Sequence, residues 1–216
     1  FGPGFGRTPG WPELNVDRST LQSLHRQLAA FREGAGPDMG LHLDVNYHFK
    51  TEGYLQVAKA VAPFDMTWLE IDTWVPQSLA LIRRAAPCPI ASLESVCGRR
   101  AFRPFFDAYA QDVAIIDVIW NGFLESIKIA AMAEAYEVNC APHNYYAHLC
   151  SGISAAFCAV VPNFRVMEID IDSVAWRDEL FHNPPVIENG ELLLPTGPGW
   201  GVEVNEAAIR NHPPQG

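Results

Sequence analysis

Short apolar or β-branched runs alternate with segments of helical period through most of the chain. LHLDV (41–45), TWLEI (67–71), PIAS (89–92), VAIIDV (113–118), EVNCAPH (137–143) and FRVMEID (164–170) are each short, apolar and bounded by turn residues or polar breaks, a pattern that predicts six strands. Between them the period predicts helices over Tyr54–Val61, Ser78–Ala86, Ala101–Ala110, Phe123–Tyr136 and Leu149–Val161, with Pro63, Pro87 and Pro162 as stops. A further helix, Thr20–Phe31, precedes the first strand, with Ser19 or Thr20 as N-cap and Gly34 and Gly36 near its end. Residues 190–210 predict one more strand, a Pro/Gly turn and a closing helix. Such alternation implies βαβ units and a parallel sheet buried on both faces.

One polar residue stands near the C-terminal end of each of the six predicted strands: Asp44, Glu70, Glu94, Asp117, His143 and Glu168, spaced 23 to 26 residues apart. A βα unit that repeats with a polar group at the same strand end is the pattern of a (β/α)₈ barrel, whose active site is assembled at the C-terminal ends of the strands. A doubly wound sheet would concentrate its chemistry at one or two switch-point loops, and no G-x-G-x-x-G follows any predicted strand. The expected fold class is therefore α/β, a (β/α) TIM-type barrel that is incomplete, with about six C-terminal βα units of the eight. Six strands alone would leave two open edges, so the chain is expected to be the C-terminal part of a longer protein. Residues 1–38 then form a lead-in loop and helix, 39–185 the βα units carrying the active site, and 186–216 a C-terminal strand, turn and helix.

Composition narrows the function classes. With 216 residues, 49% hydrophobic and 19% charged, the chain has the make-up of a globular domain, which excludes disorder. Its 15 Lys+Arg against 25 Asp+Glu give a net charge of −10, which argues against nucleic acid or an anionic membrane as partner. The longest apolar runs, such as Ala155–Val161, are far too short to span a bilayer, and the opening residues show neither the basic nor the apolar region of a signal peptide. Five cysteines without a C-x-x-C read as reduced, buried thiols, with no disulfide framework or zinc knuckle, so a cytoplasmic protein is expected. A homo-oligomer with a small-molecule partner is expected.

On a barrel, Asp44, Glu70 and Glu94 would converge from consecutive strands. Three anions so close cannot all stay ionised without a cation, and hard oxygen ligands suit Mg²⁺. Asp117 and His143 follow on adjacent strands, where the carboxylate can accept the Nδ1–H of the imidazole and leave Nε2 aimed at a substrate. Glu168, which shares a strand face with Asp170, could hydrogen-bond a developing oxyanion if it stays protonated. Asn46, His48 and Tyr145 are candidate substrate contacts, while Tyr146 could line the pocket or merely cover the helix that follows. His42 reads as barrel-interior packing, Arg99 and Arg100 as surface charges at a helix start. Cys97 has no neighbouring His in sequence to make it a nucleophile.

LDVN (43–46), WLEID (68–72), SLES (92–95), IIDVIWNG (115–122), APHNYY (141–146) and MEID (167–170), in this order and spacing, resemble the mandelate racemase subgroup of the enolase superfamily across roughly residues 20–210. The resemblance implies that Asp44, Glu70 and Glu94 ligate Mg²⁺, that His143 with Asp117 forms the base dyad, and that Glu168 stabilises an enediolate. It implies abstraction of the proton α to a carboxylate, with dehydration of an aldonic or aldaric acid to a 2-keto-3-deoxy acid as the expected reaction, which would make the protein a hydro-lyase. The alternatives are racemisation or epimerisation of a 2-hydroxy acid, and a barrel fragment without catalysis. The chain departs from the subgroup at three points. It has only Lys50, Lys59 and Lys128, none in a K-x-K motif; the family's N-terminal capping domain is outside it; and Asn46 stands where some sugar-acid dehydratases place a His.

Overall fold

Residues 15–170 and 174–213 are described in the computed structural model; the lead-in loop expected over 1–14 lies outside them. The described residues fall into two compact units, one of residues up to 96 with 100–114, the other of 97–99 with 115 onward. Through the first, helices and strands alternate as α1 (Arg18–Ala35), β1 (His42–Asp44), α2 (Thr51–Ala60), β2 (Trp68–Glu70), α3 (Pro76–Ala85), β3 (Ile90–Ser92), α4 (Arg99–Asp107) and β4 (Val113–Ile115). Each strand pairs in parallel with the next in sequence, Asp44 opposite Glu70, Glu70 opposite Ala91 and Ser92 opposite Ala114. Every helix between two strands is therefore a crossover connection.

Burial explains why these strands show so little alternation. β3 and β4 are buried at every position, so both pleat faces demand apolar side chains. The helices bury one stripe each: Leu24 and Leu28 on α1, Val57 and Ala58 on α2, Leu79 and Ile82 on α3, and Phe102, Phe105 and Phe106 on α4. At the N-terminal ends of the strands Asp112 joins two βα units. Its Oδ1 accepts Arg83 Nε and Nη2 at 3.0 and 2.7 Å, and its Oδ2 accepts the Ile90 N–H at 2.9 Å. The N-cap of α1 is Asp17, whose Oδ1 accepts Thr20 N–H at 2.7 Å and the Ser19 hydroxyl at 2.9 Å. The expected caps Ser19 and Thr20 thus lie inside the first turn, because a carboxylate one turn earlier reaches the same unsatisfied donors. His42, expected in a barrel interior, is exposed on β1 and stacks on Trp68 at 3.6 Å between ring centroids.

The second unit contains α5 (Val118–Asn121), α6 (Phe123–Ala135), β5 (Asn139–Ala141), α7 (His148–Cys158), β6 (Ile187–Glu188), β7 (Glu191–Leu192) and α8 (Glu206–Asn211). Within it Ile116 N–H donates to Ala141 O at 3.0 Å. The sixth strand expected over 164–170 is reduced to one bridge, Cys140 with Phe164. Backbone bonds Cys140 N–H to Asn163 O and Arg165 N–H to Cys140 O begin a ladder. It stops because the next position due to donate is Pro142, which has no N–H, and the donor after that, Asn144 N–H, goes to the Glu168 side chain at 2.7 Å. The C-terminal segment has the expected strand, β7, and the Pro/Gly turn, in which Gly201 N–H donates to Pro198 O at 3.1 Å, and adds β6, which pairs with β7 as a hairpin. Asn189 and Gly190, both at positive φ, join β6 to β7 in the way an Asn-Gly pair favours. The closing helix is α8, capped by Asn205.

All five cysteines are free, but only Cys140 is fully buried; Cys97 is exposed and the other three are half-buried. Burial pushes the Cys140 and Cys158 thiols up to about 12. Among the described residues no helix is long and apolar enough to cross a membrane.

Two measurements check this packing. Phe106→Ala, at a 1% exposed position, is expected to destabilise the intact protein by about 3–5 kcal/mol in urea denaturation. Leu124→Ala, at a 71% exposed position, should change it by less than about 0.5 kcal/mol. In thiol labelling at pH 7.5, Cys97 should react first, and Cys140 only after unfolding.

Candidate active site

In the first unit the acidic candidates stand at strand ends. Asp44 and Glu70 are the last residues of β1 and β2 and face each other in register. Glu94 follows β3 by two residues, in a turn whose Leu93 is buried at φ +96, a conformation a branched side chain rarely adopts. Asp72 holds that turn: its Oδ1 accepts the Leu93 N–H at 3.1 Å and the Ser92 hydroxyl at 3.2 Å. Asp44 accepts from Asn46 twice, from its backbone N–H at 2.7 Å and from its side-chain amide. Asn46, at φ +45, is held through its carbonyl by the Tyr54 hydroxyl at 2.5 Å. His48 Nδ1 lies 3.0 Å from Val45 O, so its ring folds back on its own loop.

The expected convergence of three carboxylates is only begun in this structure. Register brings Asp44 and Glu70 side by side, Glu94 stays on the neighbouring turn, and among the described residues no three His, Cys, Asp or Glu side chains are gathered tightly enough to enclose a metal ion. The chemistry of the donors nonetheless suits a hard divalent cation, since all are carboxylates at the same end of adjacent strands. Two phenols record the negative field there. Burial first, then the charges of Asp72 and Glu94, push Tyr47 up; burial, then Asp72 and Asp44 among others, raise Tyr54.

The second unit brings Asp117, His143 and Glu168 together. Asp117 and His143 each lie two residues past the end of their strands, β4 and β5, so the expectation that Asp117 sits within a strand is corrected: it is the N-cap of α5, with Oδ1 accepting Trp120 N–H at 2.7 Å. Its Oδ2 faces His143 Nδ1 at 2.8 Å and accepts the Tyr146 hydroxyl at 2.5 Å. Asp117 is fully buried. Burial raises its carboxyl, but the hydrogen bonds of His143, Tyr146 and Trp120 outweigh that and hold it below the usual carboxylate range.

With Nδ1 committed to Asp117, His143 Nε2 points the other way and lies 4.0 Å from Glu168 Oε2. Glu168 is anchored by the Asn144 N–H, while the buried Asn144 side chain donates to Glu168 O and to Ser151 Oγ, both at 3.1 Å. Trp120, half-exposed, and Tyr146 flank the imidazole at centroid distances of 6.0 and 5.4 Å, the latter edge-on at 88°. Tyr145 is 63% exposed and is not part of this group. Arg99, at the start of α4, pairs with Glu125 at 2.9 Å.

Sequence reasoning passed over Asp72 and Asn144 and left Tyr146 undecided. Asp72 had a signal, since it follows Glu70 by two in WLEID, just past the end of β2; the Asn144–Glu168 and Tyr146–Asp117 contacts had none, because they join residues 24 and 29 apart.

Residues 10–208 match the family described as Enolase C-terminal domain-like. A crystal structure of a Burkholderia xenovorans protein proposed to be an L-alanine-DL-glutamate epimerase is 53% identical, with a TM-score of 0.94, over all of this chain and 55% of that one. The same description is given to a structure bound to magnesium and fumarate, 54% identical with a TM-score of 0.93, over 99% of this chain and 53% of that one. D-Galactarolactone cycloisomerase of Agrobacterium fabrum is 30% identical over 85% of this chain and 52% of its own length. D-Xylonate dehydratase of Haloferax volcanii is 26% identical over 87% of this chain and 46% of its own. The chain spans about half the length of each relative, and its sheet of βα units is part of the (β/α) barrel of that superfamily. From the strand-end residues, the parallel βα order and the match over residues 10–208, the chain belongs to the enolase C-terminal domain-like family.

Proposed function

We propose that this chain carries the acid/base machinery of an enzyme that removes the proton α to a carboxylate and expels a β-hydroxyl, a hydro-lyase acting on an aldonic or aldaric acid. The observation that carries the reading is the His143 Nδ1 to Asp117 Oδ2 contact of 2.8 Å, with Nε2 on the Glu168 side. Asp117 accepts the Nδ1–H, which fixes the tautomer and leaves Nε2 as base. His143 takes the α-proton; the C–H pair moves into the carboxylate. As it returns to expel the β-oxygen, the same imidazolium hands back its proton, giving water and an enol that tautomerises to the 2-keto-3-deoxy acid. Asp44, Glu70 and Glu94 would hold Mg²⁺, which supplies positive charge to the substrate carboxylate when bound. The magnesium and fumarate in the Burkholderia structure, an ion and a carboxylate, support that assignment. Glu168, on the Nε2 side of the imidazole, faces the developing charge. Asn46, His48 and Tyr145 remain proposed substrate contacts only from loops.

Epimerisation is the second reading, favoured by the activity proposed for the Burkholderia relative. It requires a base on each face of the α-carbon, and the second unit presents one dyad. Incubating the intact protein and Mg²⁺ with a panel of sugar acids separates the two: 2-keto product supports dehydration, and inverted substrate without keto product replaces it with epimerisation.

His143→Asn is expected to lower kcat about 10³-fold while leaving Mg²⁺ affinity within about twofold, as measured by calorimetry. If that variant still washes deuterium into the α-position at the wild-type rate, His143 is not the α-proton base. Asp117→Asn should cost about 1–3 kcal/mol at pH 7, because an amide NH₂ would oppose two donors at Oδ2. The carboxyl is held below its unfolded value, so its contribution is present at neutral pH and lost as pH falls through the folded value. The gap between the two proteins in urea denaturation should therefore narrow below about pH 4.

A further inference from the structure

One oxygen of Asp117 serves two side chains. Oδ2 faces His143 Nδ1 at 2.8 Å and accepts the Tyr146 hydroxyl at 2.5 Å, while Oδ1 is taken by the Trp120 N–H at 2.7 Å. A carboxylate that stabilises an imidazolium does so through the negative charge left at the shared oxygen, and each further donor there withdraws part of it. Tyr146 also fixes the ring itself, standing edge-on to His143 at 5.4 Å. Its place is set by the chain: it lies two residues before the first residue of α7. Among the described residues of this unit, Asp117 and Trp120 at the start of α5, Tyr146 before α7, and Glu168, whose Oε2 is 4.0 Å from Nε2, lie against the imidazole. Cys150 is raised by burial and then by the Asp117 charge. Of these, Tyr146 alone donates to the oxygen that His143 uses.

We propose that Tyr146 is a positioning residue of the dyad: by sharing Oδ2 of Asp117 it holds the imidazole in place and lowers the basicity of His143 below what an unshared carboxylate would produce. The consequence lies in the reaction proposed above, on which this inference rests. One imidazole must first take the α-proton and then return a proton to the departing hydroxyl. An imidazole made too basic by Asp117 would be protonated before substrate arrives and would release its proton slowly.

The test is Tyr146→Phe in the intact protein, which removes one hydroxyl and keeps the ring. The His143 titration is followed by NMR of ¹⁵N-labelled histidines, with His143→Asn used to assign the resonance. The midpoint should rise by roughly 0.5–1 pH unit, and the acid limb of kcat against pH should move up by the same amount with the alkaline plateau largely retained. Replacing the tyrosines with 3-fluorotyrosine, a stronger hydroxyl donor, should move the midpoint down. A midpoint unmoved in both proteins, or a kcat lowered equally at every pH, overturns the role of Tyr146. The reading of His143 as base fails separately, if His143→Asn turns over substrate, whatever the NMR midpoint does.

Discussion

A strand buried on both faces can carry polar chemistry only where its pairing ends. β3 and β4 have no exposed position, so a carboxylate within either would lose its water and gain no cation. The strand end is different: its side chains meet loop donors and solvent. That constraint places Asp44 and Glu70 on the last residues of β1 and β2, and Glu94, Asp117 and His143 two residues past β3, β4 and β5. Parallel pairing of β1, β2, β3 and β4 in sequence order then aligns the ends that carry Asp44, Glu70 and Glu94, which antiparallel strands of the same composition would not do.

Each unit manages its own buried charge, and by different means. In the first, Asp72 is spent on structure: it clamps Leu93 at a left-handed φ and so sets the turn that carries Glu94. In the second, Asp117 caps a helix with one oxygen and with the other faces a histidine and accepts from a tyrosine. A single buried carboxylate therefore terminates β4, starts α5 and orients the proposed base. Three donors are what allow it to remain ionised in a site with no access to water, because burial alone would drive it neutral.

The sheet gives way to irregular chain where the site needs it. Pro142, with no N–H to give, ends the pairing of β5 with the segment after Asn163, and leaves Asn144 N–H to the Glu168 side chain. Ending the ladder after Arg165 turns the Glu168 carboxylate onto that N–H and brings it within 4.0 Å of His143 Nε2. Asn144, buried and bonded to Ser151 and Glu168, ties this segment to α7.

The repeat of apolar run, helix and polar strand end was legible in the sequence because it rests on local periods: two for a strand, 3.6 for a helix, and about 25 residues for the unit. The same periods named Asp44, Glu70, Glu94, Asp117, His143 and Glu168 and paired His143 with Asp117. What no local period encodes is where a ladder stops and which donors share an oxygen. FRVMEID has the composition of a strand, yet pairs at one residue, and VAIIDV ends its pairing before Asp117, whose side chain caps a helix. Asp72 and Tyr146 took their roles from Leu93 and from Asp117, contacts across 21 and 29 residues that only folding brings together. The Asn-Gly pair at 189–190 and the ladder-ending Pro142 are local signals in the sequence, but the position of Glu168 was decided by tertiary structure, because its carboxylate is held by the N–H of Asn144, 24 residues away.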